Sequence, residues 1–190
     1  MKILKKKFYQ RNPKKVARDL LGKTLVRKIG NNTLKGIIVE TEAYYGENDP
    51  ASRAYHGMKS YNKMMWDEPG KIFIYNVHKY WMFNVVAHEV GKVGAVLIRA
   101  IHPIEGIDVM MKNRKTDQIE KLTSGPGKLT IALKIDKSLN GKWITKKDSG
   151  IFITEGIKPK KISKSKRIGV RKDLEEELRF FIDNDKFVSR

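Results

Sequence analysis

The sequence contains no cysteine among its 190 residues. Disulfide bonds, thiolate metal ligands and cysteine nucleophiles are therefore excluded, and the redox compartment is left open. No apolar run approaches the length of about 18 residues that a membrane-spanning helix needs, and no apolar stretch follows the lysine-rich residues 1–7 as a secretory signal requires. We therefore expect an intracellular protein without a membrane segment.

Acidic residues are scarce relative to basic ones. The chain has 21 Asp and Glu against 40 Lys and Arg, which gives a formal net charge of +19. Such a surplus favours salt-dependent association with polyanions, so nucleic acid is the leading class of partner. A surface simply solvated by lysine is the alternative. Basic residues are densest in the segment 158–172. This segment either binds phosphate groups of the nucleic acid or is a solvated loop without a partner.

The short apolar segments, separated by Gly and Pro, predict an α+β fold in a single domain over residues 1–190. We expect a curved, mostly antiparallel sheet with flanking helices and a protruding β-hairpin. The predicted strands are 24–29, 34–44, 72–77, 81–87, 95–100, 150–154, 168–170 and 180–182. The predicted helices begin at Asn12 or Pro13, at Pro103 and at Pro126. Residues 46–70 form a long irregular segment of the kind that often carries function.

Two glutamates lie close together in the second predicted strand. The strand period of two places Ile38, Glu40, Glu42 and Tyr44 on one face, and like charges so close are costly unless one is paired or functional. One interpretation is a general base held on a rigid strand. The alternative is an edge strand whose glutamates face water.

Two further polar side chains interrupt apolar strands. Arg99 ends an apolar segment and needs a carboxylate or phosphate partner, for which Glu40 and Glu42 are candidates, although a strand-end arginine can also reach solvent. Asn84 is either a satisfied core amide or a donor in a ligand pocket. The four histidines have no metal-binding spacing, so we expect no metal site.

The order and spacing of several short motifs resemble the alkyladenine (3-methyladenine) DNA glycosylase family over most of the chain. The central motif is Glu40-Thr41-Glu42-Ala43-Tyr44. The other matching segments are 19–23, 49–52, 69–70, 95–100, 103–106, 124–129, 167–169, 179–181 and 188–189, together with Tyr75 and Asn84.

The resemblance implies a monofunctional DNA repair glycosylase that needs no cofactor and acts on double-stranded DNA containing damaged purines. Glu42 would activate the attacking water with help from Arg99, which leaves an abasic site. Tyr44 and Tyr75 would stack on the extruded base, and Asn84 would select purines. Candidate lesions are 3-methyladenine-type bases, hypoxanthine and ethenoadenine. We expect a DNA-associated monomer whose Glu42 lies beside a cavity that accepts the purine.

The chain departs from the family pattern at two places. Arg53 stands where the family usually has a base-contacting His, and His56 follows three residues later. At the hairpin tip His78 replaces the usual intercalating Tyr, so either His78 or Tyr80 is the expected wedge. Two rival functions remain open: a non-catalytic nucleic-acid-binding module, and a carbohydrate hydrolase that uses Glu40 and Glu42 as its acid and base.

Overall fold

The structure is a computed structural model and describes residues 2–189. These residues form four α-helices, eight strands and four short 3-10 helices. The α-helices are α1 (Lys6–Tyr9), α2 (Pro13–Leu20), α3 (Ile107–Arg114) and α4 (Pro126–Ala132). The strands are β1 (Thr24–Ile29), β2 (Asn32–Tyr44), β3 (Ile72–Val77), β4 (Tyr80–Val86), β5 (Ala95–Glu105), β6 (Ile151–Thr154), β7 (Ile162–Ser165) and β8 (Arg179–Ile182). The 3-10 helices are Lys63–Trp66, Ile119–Lys121, Lys137–Leu139 and Lys147–Ser149.

All eight strands join one curled antiparallel sheet, which confirms the predicted α+β fold. Its main path runs β3-β4-β5-β2-β1-β6. The second half of β2 pairs with β8, which in turn pairs with β7. The Glu40–Glu42 segment therefore has a neighbouring strand on each side, which excludes the alternative of an edge strand with its glutamates in water.

The start of α2 follows the sequence signals closely. The side chain of Asn12 accepts a hydrogen bond from the backbone N–H of Lys14, and Pro13 occupies the first turn. Such a cap satisfies a backbone donor that has no partner inside the helix. The helix buries Val16 and Leu20 against the sheet and ends before Gly22, whose φ is +83°.

Two predicted elements differ from the structure. Pro103 continues β5 rather than beginning a helix, because it lies opposite Gly36 at a register shift where the missing N–H of proline is tolerated; α3 begins only at Ile107. Residues 168–170 are not a strand. The partner of β8 is instead β7, a polar strand without the apolar run that predicts one.

The two faces of the sheet bury different sets of side chains. One face packs against α2 and α4 and carries the main core, with Ile38, Phe83 and Ile98 among its members. The other face packs against residues 46–70, which contribute buried Ala54 and Met65. That long segment is thus a cover over the face on which the two strand glutamates lie. No helix within residues 2–189 is long and apolar enough to cross a membrane.

Candidate active site

Two β-bulges arrange the polar side chains at the centre of the sheet. Between β2 and β5, Glu40 pairs with Ala100 and Thr41 with Ile98, so Val39 and Arg99 are extra residues without a partner in this ladder. Such bulges turn side chains to new directions. Ile38 consequently packs into the main core, which corrects the predicted alternation; Glu40, Glu42 and Tyr44 remain together on the opposite face.

Glu42 is completely buried and has three partners. Its Oε2 accepts a hydrogen bond from the Tyr44 hydroxyl at 2.7 Å and lies 3.2 Å from Arg99 Nη1. Its Oε1 accepts a hydrogen bond from the backbone N–H of Ile168 at 2.8 Å. A carboxylate has about four acceptor sites, so one site on Oε1 is left for a further donor such as water.

Arg99 joins the two glutamates. Its Nε donates to Glu40 Oε1 at 2.7 Å, and its Nη2 donates to Ser189 Oγ at 3.2 Å. Burial lowers the pKa of Arg99, but the carboxylates of Glu42 and Glu40 raise it by more. Arg99 is therefore a fixed cation beside Glu42, and of the two predicted pairings the structure contains both.

Glu40 is occupied by structural contacts. It accepts hydrogen bonds from Arg99, from Arg179 Nε at 2.7 Å, and from both the N–H and the hydroxyl of Ser189 at 2.7 and 2.8 Å. Burial would raise its pKa, yet the two arginines and the Ser189 N–H lower it below the ordinary value. A carboxylate held ionised in this way is a poor proton donor, which argues against an acid and base pair formed by Glu40 and Glu42.

Tyr44 is held from both ends. Its hydroxyl donates to Glu42, and the Arg167 guanidinium lies 4.6 Å from the centre of its ring. Burial and the neighbouring Glu42 carboxylate raise the pKa of the Tyr44 phenol, so it stays protonated and remains a hydrogen-bond donor. Arg167 is itself fixed, because Asp49 binds it with two hydrogen bonds of 2.7 Å and Asp173 binds it as well.

Tyr75, on β3 at the end of the sheet, approaches the same site. Burial raises the pKa of its phenol, while Arg53 lowers it; Glu42 and Arg99 are near enough to contribute with opposite signs. The Arg53 guanidinium lies 4.8 Å from the centre of the Tyr75 ring. A surface cavity of about 480 Å³ is lined by Arg53, Tyr75, Tyr61 and Trp81 among others.

The predicted opening beside Glu42 is closed in this structure. The Glu42 side chain has 0% exposed surface, and Tyr44 above it is only 9% exposed. Residues 46–70 and the segment around Ile168 cover this face. A water molecule or a base therefore reaches Glu42 only after some neighbouring side chain moves.

Asn84 lies in the same row of side chains as Glu42. Leu97 pairs with Glu42 on one side and with Asn84 on the other, so the three side chains share a face. The amide nitrogen of Asn84 donates to the carbonyl oxygens of Phe73 and Met82, each at 3.2 Å. Its donors are thus used within the sheet, which leaves Oδ1 for contact with a ligand.

The remaining predicted site residues lie apart from Glu42. His56 is exposed, and its ring packs edge-on against Tyr55 with a centroid distance of 4.8 Å. His78 is exposed at the tip of the β3–β4 hairpin with a φ of +53°. Tyr80 belongs to β4 and pairs with Val77, and its side chain lies against Gly127 of α4.

Several residues of the site were not assigned a role from the sequence. Arg167 is buried although it belongs to the basic segment 158–172, and Asp49, Arg179 and Ser189 complete the ion-pair networks. The only sequence signal for these residues is that they lie in segments that match the family motifs. Within residues 2–189, no three His, Asp or Glu side chains converge in a way that could hold a metal ion.

Comparisons with known proteins agree on one family. The model of the methylpurine-DNA glycosylase family matches residues 7–186. A protein of Clostridium tetani named "putative 3-methyladenine DNA glycosylase" is 42% identical, in an alignment that covers all of this chain and all of the relative. Proteins with the same printed name are 40% identical in Carboxydothermus hydrogenoformans, over 99% of each chain, and 37% identical in Aeropyrum pernix, over all of this chain and 94% of the relative.

Proposed function

The chain belongs to the methylpurine-DNA glycosylase family and is thus a DNA glycosylase, an enzyme that hydrolyses N-glycosidic bonds; from this premise we propose its substrate and mechanism. Acting as one domain and as a monomer, it rotates a damaged purine out of duplex DNA and hydrolyses the bond between the base and C1′ of the sugar. The product is an abasic site, without strand cleavage. The proposed lesions are 3-methyladenine-type bases, with hypoxanthine and ethenoadenine as further candidates.

Glu42 is the proposed general base. It is the carboxylate of the site with fewer partners: three groups contact Glu42, whereas Glu40 receives four hydrogen bonds. When the site opens, a water molecule that donates to Glu42 Oε1 can be deprotonated as it attacks C1′. The water supplies the oxygen and the remaining hydrogen of the new C1′ hydroxyl. The electrons of the broken C1′–N bond leave with the purine, which then receives the proton that Glu42 took up.

Arg99 and Tyr44 are proposed to orient this carboxylate. They bind its Oε2 from two directions, which leaves Oε1 pointing to the substrate. Holding a base in position removes much of the entropic cost of the reaction. Arg99 would also stabilise the negative charge that develops when the water loses its proton.

Tyr44 and Tyr75 are the proposed stacking partners of the rotated base. Every base presents a π face, and aromatic side chains bind such faces with about 1–3 kcal/mol per stacked base. Asn84 would contact the purine edge through Oδ1. The net charge of +19 supports binding of the phosphate backbone. His78 and Tyr80 are both exposed, but His78 occupies the hairpin tip whereas the Tyr80 ring contacts Gly127 of α4, so His78 is the better placed wedge.

The observation that carries the proposal is the buried Glu42 carboxylate, paired with Arg99 and with one free acceptor position. The test is excision of a methylated or hypoxanthine base from a duplex oligonucleotide, followed as alkali-labile strand breaks. We expect E42Q to lose more than about 100-fold in the single-turnover rate while DNA affinity changes little. The matched control is E105Q, which alters an exposed glutamate at the end of β5.

The same experiment separates this proposal from the rival binding module. A non-catalytic nucleic-acid-binding protein would bind the duplex but yield no strand breaks in the wild type. Full excision activity in E42Q would instead remove Glu42 from the proposed role.

A further inference from the structure

Arg53 differs from the other arginines around the site in lacking a carboxylate partner among residues 2–189. Arg167 is held by Asp49 and Asp173, and Arg99 by Glu40, Glu42 and Ser189. Arg53 is exposed, and no salt bridge among residues 2–189 holds it. It meets the site where its guanidinium stacks on Tyr75.

The position of Arg53 conflicts with stacking of a base on Tyr75. Phe73 lies beside the Tyr75 ring with a centroid distance of 5.2 Å, and the Arg53 guanidinium lies over the ring at 4.8 Å. A planar base that stacks on this ring therefore has to displace the guanidinium. The displacement breaks a cation–π interaction and a side-chain hydrogen bond between Arg53 and Tyr75, and the stacked base has to offset both.

The displaced guanidinium stays near the substrate and stays charged. Arginine is not deprotonated in proteins, whereas the neutral form of a histidine at this position would carry no charge. Two neighbouring positive charges repel one another, and at this partly exposed site the repulsion energy lies between the values for a protein surface and for bulk water. A purine nucleotide methylated at N3 of adenine or N7 of guanine is a cation, whereas hypoxanthine and ethenoadenine are neutral.

We propose that Arg53 is a displaceable gate on Tyr75 that selects against cationic bases, so that neutral damaged purines are the preferred substrates. This inference rests on the proposed function and, among its candidate lesions, ranks hypoxanthine and ethenoadenine above the cationic 3-methyladenine type. It assigns to Arg53 a role in specificity, whereas Glu42 carries the chemistry for every lesion.

The test compares excision of hypoxanthine with excision of 7-methylguanine from otherwise identical duplexes, in the wild type, R53Q and R53K. Because a cationic base leaves more readily on its own, the quantity of interest is the change in the ratio of the two rates between variants. We expect R53Q to raise the rate for 7-methylguanine relative to hypoxanthine about tenfold, the effect of removing one neighbouring like charge at a partly exposed site. R53K keeps the charge, so its ratio should stay near that of the wild type.

Other outcomes overturn the inference. An unchanged ratio in R53Q removes the charge filter. An equal loss for both lesions, with a weaker dependence of DNA binding on salt, assigns Arg53 to a phosphate contact. Wild-type protein that excises neither base, like E42Q, contradicts the proposed function itself, whereas wild-type excision with an unchanged ratio contradicts only the role of Arg53. Thermal unfolding of R53Q checks that the exposed substitution leaves the fold intact.

Discussion

The Arg167 guanidinium and the Asp49 carboxylate form two parallel hydrogen bonds of 2.7 Å, although neither side chain has any exposed surface. The same guanidinium lies over the Tyr44 ring. Arg167 is also followed in the chain by Ile168, whose backbone N–H donates to Glu42. The pair therefore links the segment 49–52 to the segment 167–169 and positions Glu42 from a distance.

Replacement of Asp49 should cost both stability and activity. We expect D49N to lower the free energy of unfolding by about 3 kcal/mol, because a buried arginine loses an anionic partner. Displacement of Ile168 should also lower the single-turnover excision rate more than it lowers DNA affinity. Urea denaturation and excision assays measure the two effects.

The control for D49N is E175Q. Glu175 is fully exposed and lies 3.6 Å from Lys166, so its loss should leave the free energy of unfolding nearly unchanged. Equal stabilities of D49N and the wild type would show that Asp173 alone is enough to hold Arg167.

Glu40 makes the stability of the protein sensitive to acid. Its pKa in the folded protein lies below the ordinary value of 4.5, so its ionised form stabilises the fold above that pH. The contribution is lost as the pH falls through the lowered pKa, when the protonated acid leaves Arg99 and Arg179 without their shared anion. We expect the free energy of unfolding of the wild type to decrease below about pH 4.5, as measured by denaturation at several pH values.

The variant E40Q tests this assignment. It should be less stable than the wild type at pH 7, by about 3 kcal/mol, and its stability should fall less on acidification because position 40 no longer titrates. If the free energy of unfolding fell equally steeply with decreasing pH in E40Q and the wild type, other carboxylates would be responsible for the acid sensitivity.

Much of the sheet was predictable from the sequence because alternation and turn residues are local signals. The strands 24–29 and 72–77 and the cap of α2 are such cases. The bulges at Val39 and Arg99 were not, since an extra residue in a ladder depends on the partner strand. The same holds for β7, which is polar and exists through its pairing with β8.

The candidate site divides in the same way. Glu40, Glu42 and Arg99 were conspicuous as charges in apolar strands, and the structure brings all three into contact. Arg167 was hidden in a run of basic residues, and its burial depends on two distant aspartates. Long-range pairs of this kind have no local pattern in a single sequence.

His78 at the hairpin tip is predicted to lower the stability of the fold while assisting the rotation of the damaged base. A residue other than glycine with a φ of +53° is strained by about 1 kcal/mol, so H78G should raise the free energy of unfolding by up to that amount. Removal of the ring should also weaken flipping, seen as less 2-aminopurine fluorescence beside the lesion and slower excision. Y80F, which keeps the ring against Gly127, is the matched control and should retain flipping. Unimpaired flipping in H78G would move the wedge to another residue.

The hydrogen bonds of Ser189 predict a graded loss along one series of variants. S189A removes the hydroxyl that donates to Glu40 and accepts from Arg99, which should cost about 1 kcal/mol of stability. Deletion of residues 189–190 also removes the N–H bound to Glu40 Oε2 and the carbonyl bound to Arg179, so the cost should at least double. Both variants remove the hydrogen bond from Arg99 to Ser189, so Arg99 holds Glu42 less firmly in position. The excision rate should therefore fall in S189A and fall further in the deletion variant, while DNA affinity stays constant. Equal stability and rate in the deletion variant and the wild type would show that Glu40 and the two arginines hold one another without the C-terminal segment.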